Sequence, residues 1–205
     1  MARVKKAIDY IKELCSSKTE AKRKLGKALK AQHRKWIRTL VLKDFLEFDE
    51  TIMTNKAEIG VAQFFGKFRA YAFEEYVYRL LKEKVHIRPL ELFWGEKCLV
   101  WRGAKESYGM EFDISVGRKI DGFVCPTIVF EIKIELDSSR LKTALASFAI
   151  LKNWNPKVNC VIVYMTRELD SNLLGLAKNW ADGIFQFSTH NNATAAFLTY
   201  VAKRV

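Results

Sequence analysis

Apolar residues recur at helical spacing along the first 84 residues of the chain. Positions three or four residues apart predict a helix over residues 3–15, a second helix from about residue 20 to residue 48, and a third from Lys56 to Lys84. The apolar stripe of the second helix is interrupted, and lysines and arginines fill most of its other positions. This pattern indicates a helix that is docked along one side and basic along the other.

Between residues 90 and 134 the pattern changes from helical spacing to alternation. Apolar and polar residues alternate along 110–116 and again along 127–135, which predicts neighbouring strands joined by short turns. Beyond this meander the pattern predicts, in order, a helix, a buried strand, a helix, a short strand and a closing helix. This order of elements indicates an α/β fold in which a mixed β-sheet is flanked by helices.

The segment TIVFEIKIELD, residues 127–137, places two opposite charges inside an apolar strand. Because side chains alternate along a strand, Ile128 and Phe130 share one face, whereas Glu131 and Lys133 share the other and lie about 7 Å apart. A buried charge is costly unless it is paired or binds a metal ion. The pair therefore indicates either an edge strand with one solvated face or a functional site.

The chain resembles the PD-(D/E)xK nuclease superfamily, the restriction-endonuclease-like proteins, over about residues 56–170. The resemblance rests on Glu74 in FEEYV, an aspartate in EFDISVGRKIDGFV, and Glu131 and Lys133 in FEIK. The motif itself is short and degenerate, so its specificity comes from the order of the helix and the strands that carry it.

The resemblance implies metal-dependent hydrolysis of phosphodiester bonds, with Mg²⁺ or Mn²⁺ as the cofactor. Mg²⁺ prefers oxygen ligands, and an Asp on one strand can share the ion with Glu131 on the next. The resemblance also implies that the Ile132 carbonyl adds a ligand and that Lys133 orients the attacking water or stabilises the developing negative charge. Glu74 is expected to support the site from the preceding helix, since it borders the apolar face there and Glu75 is expected to be more exposed.

Two aspartates are candidates for the metal ligand beside Glu131. A hairpin turn centred at Cys125–Pro126 places Asp121 opposite Glu131, and the missing N–H of the proline does no harm in a turn. A turn at Asp121–Gly122, which is a favourable hairpin dipeptide, places Asp113 there instead. We prefer the first arrangement because the second puts a proline inside a strand, and both aspartates remain candidates.

The net charge of +12 is concentrated at the N-terminus. Residues 1–43 contain 14 Lys or Arg and 3 Asp or Glu, whereas the rest of the chain contains 21 and 20. A localised basic segment is typical of binding to nucleic-acid phosphates. We expect a basic helical arm over residues 1–50, docked through Trp36, and a nuclease core over residues 51–205. The predicted nucleic-acid-binding residues are Lys24, Lys27, Arg34, Lys35 and Arg38.

Membrane proteins and metal-cluster proteins find no support in the sequence. No apolar run reaches the ~18 residues of a membrane span, and the basic N-terminus lacks the apolar segment of a signal peptide. We therefore expect a cytoplasmic protein without a membrane partner. The cysteines are too far apart in sequence to form a zinc or iron–sulfur motif, and they are Cys15, Cys98, Cys125 and Cys160.

The function that the sequence predicts is that of a Mg²⁺-dependent endodeoxyribonuclease. The small size suits a type II restriction endonuclease or a structure-specific nuclease, and cutting both strands of DNA leads us to expect a homodimer. The alternative is a non-catalytic nucleic-acid-binding protein with the same fold, which explains the basic arm equally well.

Overall fold

A computed structural model describes residues 6–189 and 193–205 of the chain. Its packing divides the chain into two compact units, Met1–Leu80 and Leu81–Val205. The predicted boundary at residue 50 falls inside a helix, whereas the packing divides the chain after Leu80. Among the described residues, no helix has the length and apolar character to cross a membrane.

The first unit is helical, and one helix continues from it into the second unit. The helix predicted over residues 20–48 is broken in two, because Leu40 adopts a left-handed backbone conformation with a φ of 52° and its N–H caps the Trp36 carbonyl. The helix predicted from residue 56 is likewise interrupted, at Gly60. The helices are α1 (Ala7–Cys15), α2 (Glu20–Thr39), α3 (Leu42–Thr54), α4 (Lys56–Ile59) and α5 (Ala62–Lys84).

Aromatic side chains form the core of the first unit. The fully buried Trp36 ring lies 5.6 Å from the Phe45 ring in an edge-to-face contact, and Phe45 stacks on Tyr76 at 4.7 Å. The Tyr76 hydroxyl donates to the Leu40 carbonyl at 3.0 Å, which fixes the junction between α2 and α3. The prediction that Trp36 is a docking anchor is therefore confirmed, since its ring is not accessible to a nucleobase.

The first unit also buries a carboxylate, Glu75, whose residue surface is only 1% exposed. It accepts a hydrogen bond from the Ala7 N–H at 3.0 Å and forms an ion pair with the Arg79 guanidinium at 2.8 Å. The His33 Nε2 atom lies 3.7 Å from the carboxylate. The expectation that Glu75 is more exposed than Glu74 is wrong, because Glu74 is only half-buried. The apolar face of α5 extends around more of the helix than the spacing of its large residues indicates.

The second unit is a seven-stranded mixed sheet with helices on both faces. The long strand β5 is antiparallel to β4 along one edge, and its other edge is shared by parallel neighbours, β2 near its start and β6 further along. Strands β1 and β3 pair with β4 and β2, and β7 pairs with β6. The strands are β1 (Glu91–Trp94), β2 (Lys97–Arg102), β3 (Ser107–Glu111), β4 (Ile114–Ile120), β5 (Phe123–Asp137), β6 (Asn159–Glu168) and β7 (Gly183–Gln186), and the helices are α6 (Ser138–Trp154), α7 (Ser171–Ala177) and α8 (Ala193–Ala202).

Both faces of β5 are covered. The Phe130 ring contacts the Phe197 ring of α8 at 5.7 Å, whereas Val129 belongs to the core cluster that includes Phe148 of α6. Since Glu131 shares the Val129 face, it lies in a covered region and is only 9% exposed. A solvated edge strand therefore does not explain the charged pair.

The hairpin that joins β4 to β5 turns at Asp121–Gly122, where φ is 50° and 83°. The expected turn at Cys125–Pro126 is wrong, since Pro126 lies inside β5 opposite Gly117. A bulge beside Gly117 interrupts the ladder there, and a Cβ on Gly117 would collide with the Cys125 carbonyl. The proline is tolerated because the bulge and the glycine accommodate it.

Candidate active site

Asp113 lies at the bend between β3 and β4. The alternating pattern over residues 110–116 predicted one strand, but β3 ends at Glu111 and β4 begins at Ile114. The Gly95 N–H, just after β1, donates to the Asp113 carbonyl at 3.1 Å and holds the bend. Because Ile114 pairs with Phe130, Asp113 lies beside the part of β5 that carries Glu131.

Three side chains converge at this bend. The Lys133 ammonium lies 2.9 Å from Asp113 Oδ2 and 2.7 Å from Glu131 Oε2, so both carboxylates are held by one cation. The Ile132 N–H donates to the same Asp113 oxygen at 2.6 Å. The side chains of Asp113, Glu131 and Lys133 are 24%, 12% and 21% exposed, so the cluster is mostly buried yet reachable from solvent.

Burial and mutual repulsion shape the charges of this cluster. Burial raises the pKa of Glu131, and the neighbouring Asp113 carboxylate raises it further, against the opposing effect of the Lys133 ammonium. Burial alone would lower the pKa of Lys133, but the two carboxylates more than offset this effect and the net pKa is raised. Lys133 is therefore a permanent positive charge at neutral pH, and Glu131 binds its proton more tightly than an ordinary glutamate.

The oxygen atoms at this bend fit a small divalent cation. In a strand the N–H and the C=O of one residue point to the same edge, so the Ile132 carbonyl faces the edge from which its N–H reaches Asp113. Two carboxylates and one carbonyl are ligands that Mg²⁺ accepts when water and substrate oxygens complete its shell. Within residues 6–189 and 193–205, no group of three or more His, Cys, Asp or Glu side chains could hold a metal ion on its own.

The other acidic residues predicted for the site are Asp121 and Glu74. Asp121 lies in the hairpin turn with its side chain 72% exposed, and it pairs with Arg102 at 3.1 Å. The expected position of Asp121 opposite Glu131 is therefore wrong, because Asp113 is the aspartate that the fold brings to Glu131. Glu74 belongs to the first unit, and its supporting role remains a prediction.

The predicted nucleic-acid-binding residues of α2 have different surroundings. Lys35 lies 2.7 Å from Asp44 and 3.1 Å from Glu47 of α3, and hydrogen bonds to these two carboxylates raise its pKa. Lys24 pairs with Glu20 at 2.9 Å on the surface. Arg34, Lys35 and Arg38 surround a surface depression of about 300 Å³ with Ala31 in its lining. Of the five predicted residues, Lys27, Arg34 and Arg38 are exposed and form no ion pair within residues 6–189 and 193–205.

Two features of the site and its surroundings were not predicted from the sequence. The hydrogen bond from the Ile132 N–H to Asp113 depends on β4 beginning one residue after Asp113, which no local pattern indicates. The burial of Glu75 had one signal, the spacing of four residues to Arg79, but that spacing is equally common on exposed helix surfaces.

Comparison with known proteins places the fold. No protein-family model matches the sequence, and no curated protein sequence matches it. Among solved structures, the native BbvCI A2B2 tetramer matches with a TM-score of 0.55 and 13% identity over 88% of this chain and 82% of that chain. The restriction endonuclease PspGI in complex with substrate DNA matches with a TM-score of 0.47 and 13% identity, over 98% of this chain and 83% of that chain.

The likeness to the BbvCI structure shows the fold alone, and the chain has the restriction-endonuclease-like fold that its sequence predicted. The predicted α/β class with a mixed sheet between helices is confirmed as well.

Proposed function

We propose that this protein is a metal-dependent endodeoxyribonuclease that hydrolyses DNA phosphodiester bonds with Mg²⁺ or Mn²⁺. The observation that carries the proposal is the convergence of Asp113 and Glu131 on a single cationic group, the Lys133 ammonium, at 2.9 and 2.7 Å. Two carboxylates that already share one cation are suited to share a divalent ion. One fold can host many different functions, so the proposed function depends on the chemistry of this cluster.

Asp113, Glu131 and the Ile132 carbonyl are the groups proposed to hold the metal ion. When bound, Mg²⁺ would neutralise phosphate charge and lower the pKa of a water molecule. Lys133 stays protonated because its pKa is raised, so it acts as a fixed positive charge towards phosphoryl oxygens and not as a general base. Glu131 must lose its proton to serve as a ligand, so acidification through its raised pKa weakens the site.

The exposed cations of α2 are proposed to contact the DNA backbone. Lys27, Arg34 and Arg38 are the main candidates, since their charges are not engaged by recorded partners among the described residues. Lys24 is a weaker candidate because it pairs with Glu20, and Lys35 is first a link between α2 and α3. Such contacts neutralise phosphates, so binding should weaken steeply as the salt concentration rises.

A homodimer is the assembly that we propose, because cutting both strands of a duplex requires two sites. The structural neighbour BbvCI is described as an A2B2 tetramer, which shows that its version of the fold supports assembly. Whether the DNA is selected by sequence, as in a type II restriction endonuclease, or by structure is decided by the substrate panel below.

The test is a cleavage assay on plasmid, linear duplex, single-stranded, hairpin and four-way-junction DNA, with Mg²⁺, with Mn²⁺ and with EDTA. We expect cleavage of at least one substrate that requires the metal and disappears in the Glu131→Gln variant. Folded wild-type protein that binds these substrates but cleaves none of them with Mg²⁺ or Mn²⁺ would refute the proposed nuclease activity.

One observation favours a second candidate, a non-catalytic DNA-binding protein with this fold. Lys133 is bonded to both carboxylates, and these two are the only carboxylates of the described cluster. If the ion pairs are purely structural, Mg²⁺ will not change the thermal stability of the protein. DNA affinity will then be equal in Mg²⁺ and in EDTA.

A further inference from the structure

A concave site lies where α5 ends and β1 begins. The last helical hydrogen bond runs from the Val85 N–H to the Leu81 carbonyl at 3.0 Å, and the chain then turns, with the Leu90 N–H donating to the Ile87 carbonyl at 2.9 Å. This turn and the end of the helix border an open cavity of about 500 Å³. Its basic lining residues are Lys82, His86 and Arg88, and its apolar lining residues are Val85, Ile87, Leu90 and Leu92.

The basic side chains of this cavity lack the carboxylate partners that several other basic residues of the same unit have. Lys119 is paired with Glu96 at 3.0 Å and Lys152 with Asp182 at 2.8 Å. In contrast, no hydrogen bond or ion pair is recorded within residues 6–189 and 193–205 for the side chains that face this cavity, and no described carboxylate lines it. Three exposed basic side chains therefore line one concave surface that no described carboxylate lines.

Stabilisation of the α5 C-terminus explains only part of this arrangement. Lysines in the last turn interact favourably with the negative end of the helix dipole, which accounts for Lys82 and equally for Lys84. Arg88 lies four residues beyond the helix, so it gains little from the dipole, which falls off within one turn. Helix stabilisation also does not require an apolar floor between the cations.

We infer that this cavity binds a phosphoryl group attached to an apolar or aromatic moiety, as in a nucleotide. Guanidinium and ammonium groups are the usual partners of phosphate oxygens, and the apolar floor suits a ring or sugar beside them. The cavity volume of about 500 Å³ lies within the range of small-ligand sites. The source of the phosphoryl group is either a free nucleotide or the phosphorylated end of a polynucleotide.

This inference does not depend on the proposed nuclease function. None of the lining residues belongs to the Asp113, Glu131 and Lys133 cluster, and binding of a phosphoryl group by cations requires no metal ion. The test is therefore made in EDTA, where the nuclease is inactive, so that the failure of one proposal leaves the other unaffected.

The experiment titrates the full-length protein with adenosine 5′-monophosphate and with adenosine, followed by calorimetry and by chemical-shift changes at residues 82–92. We expect the nucleotide to bind at least about tenfold more tightly than the nucleoside, because a charge-assisted contact to phosphate contributes roughly 1.5 kcal/mol or more. Lys82→Met and Arg88→Gln should each weaken nucleotide binding by about tenfold. Equal affinity for nucleotide and nucleoside, or no binding of the nucleotide, would overturn the inference.

Lys84→Met is the matched control, since Lys84 lies on the same last turn of α5 and is exposed, but does not line the cavity. It should change nucleotide affinity less than twofold, and a loss as large as that of Lys82→Met would indicate diffuse electrostatic attraction and contradict a built site. An oligonucleotide with and without a 5′-phosphate identifies the source. Competition by the phosphorylated form alone supports a polynucleotide end, and no competition by either supports a free nucleotide.

Discussion

Each of the two units of this molecule buries one glutamate next to a basic side chain, and the two glutamates have opposite electrostatic surroundings. The Glu75 carboxylate of the helical unit accepts a hydrogen bond from the Ala7 N–H and pairs with the Arg79 guanidinium, and His33 lies beside it. Burial by itself raises the pKa of Glu75, but His33 and Arg79 outweigh it and the net pKa is lowered. This carboxylate is fully served by donors within its own unit.

Glu131 of the sheet unit has a raised pKa because burial is joined by the repulsion of a second carboxylate, Asp113. One ammonium, that of Lys133, serves both carboxylates. The cluster contains two carboxylates and one ammonium, and solvent can reach it. A further cation would therefore be attracted to it. A buried carboxylate whose oxygens have their own donors stabilises a fold. Two adjacent carboxylates that share one ammonium are instead a candidate site for cation binding.

The largest expected difference between the two regions is in DNA cleavage. Asp113→Asn and Glu131→Gln should each reduce the metal-dependent cleavage rate by about 10³-fold or more, which corresponds to ~4 kcal/mol of lost transition-state stabilisation. The rates are measured with the best substrate of the panel, and folding is checked by thermal unfolding. Glu75→Gln, compared at a temperature at which it is folded, should stay within about threefold of wild type. A Glu131→Gln variant that cleaves at the wild-type rate would contradict the assignment.

The second prediction concerns the stability that Glu75 provides. Glu75→Gln should lower the free energy of unfolding of the first unit by about 3 kcal/mol at pH 7, because a buried ion pair and its hydrogen bonds lose their charge. Because the folded-state pKa of Glu75 is lowered, its contribution is complete above the unfolded value of about 4.3 and is lost as the pH falls through the folded value. Urea unfolding between pH 7 and pH 3 measures this.

Glu74→Gln is the matched control for that series, since the neighbouring residue is only half-buried. It should cost less than about 1 kcal/mol. If Glu74→Gln proved as damaging as Glu75→Gln, the buried network would not be the source of the stability.

The third prediction uses Lys133→Met to leave Asp113 and Glu131 without their shared cation. We expect a loss of about 2 kcal/mol at pH 8, since two adjacent and mostly buried carboxylates then repel each other. The loss should shrink as the pH falls through the raised pKa of Glu131, because its protonation removes the repulsion. Mg²⁺ should raise the melting temperature of the variant more than that of wild type. Equal Mg²⁺ shifts in both proteins would argue against a cation site between the carboxylates.

The smallest expected effect is that of Asp121→Asn. Its pairing with Arg102 is a surface ion pair with the carboxylate side chain 72% exposed, so the change should cost less than about 0.5 kcal/mol and leave cleavage unchanged. Thermal unfolding and the cleavage assay measure both quantities. A loss of Mg²⁺-dependent cleavage in this variant would indicate that Asp121, and not Asp113, belongs to the metal site.

The fold class and most of the site could be predicted because strand alternation is a strong local signal. It separated Glu131 and Lys133 from Ile128 and Phe130. The order of the predicted helices and strands then indicated the α/β fold. The partner aspartate could not be predicted, because it depends on where the hairpin turns. Pro126 indicated a turn, whereas the bulge and Gly117 make room for it inside the strand.

The first unit shows a different limit of sequence reasoning. Regular apolar spacing predicted helices correctly, but the break at Leu40 depends on a left-handed residue that no glycine or proline marks. The charged residues of α5 were assigned to faces from the helical period, which fails when a helix is buried on several sides. Burial of Glu75 follows from tertiary packing alone.

The central claim, that Asp113 and Glu131 form a divalent-cation site, is tested most directly by anomalous diffraction from crystals of the protein soaked in Mn²⁺. We predict an anomalous peak within coordination distance of the Asp113 and Glu131 carboxylates, about 2–2.5 Å, and its disappearance in crystals of Asp113→Asn. A peak at Asp121, or no peak at Asp113 and Glu131 in well-ordered Mn²⁺-soaked crystals, would contradict it.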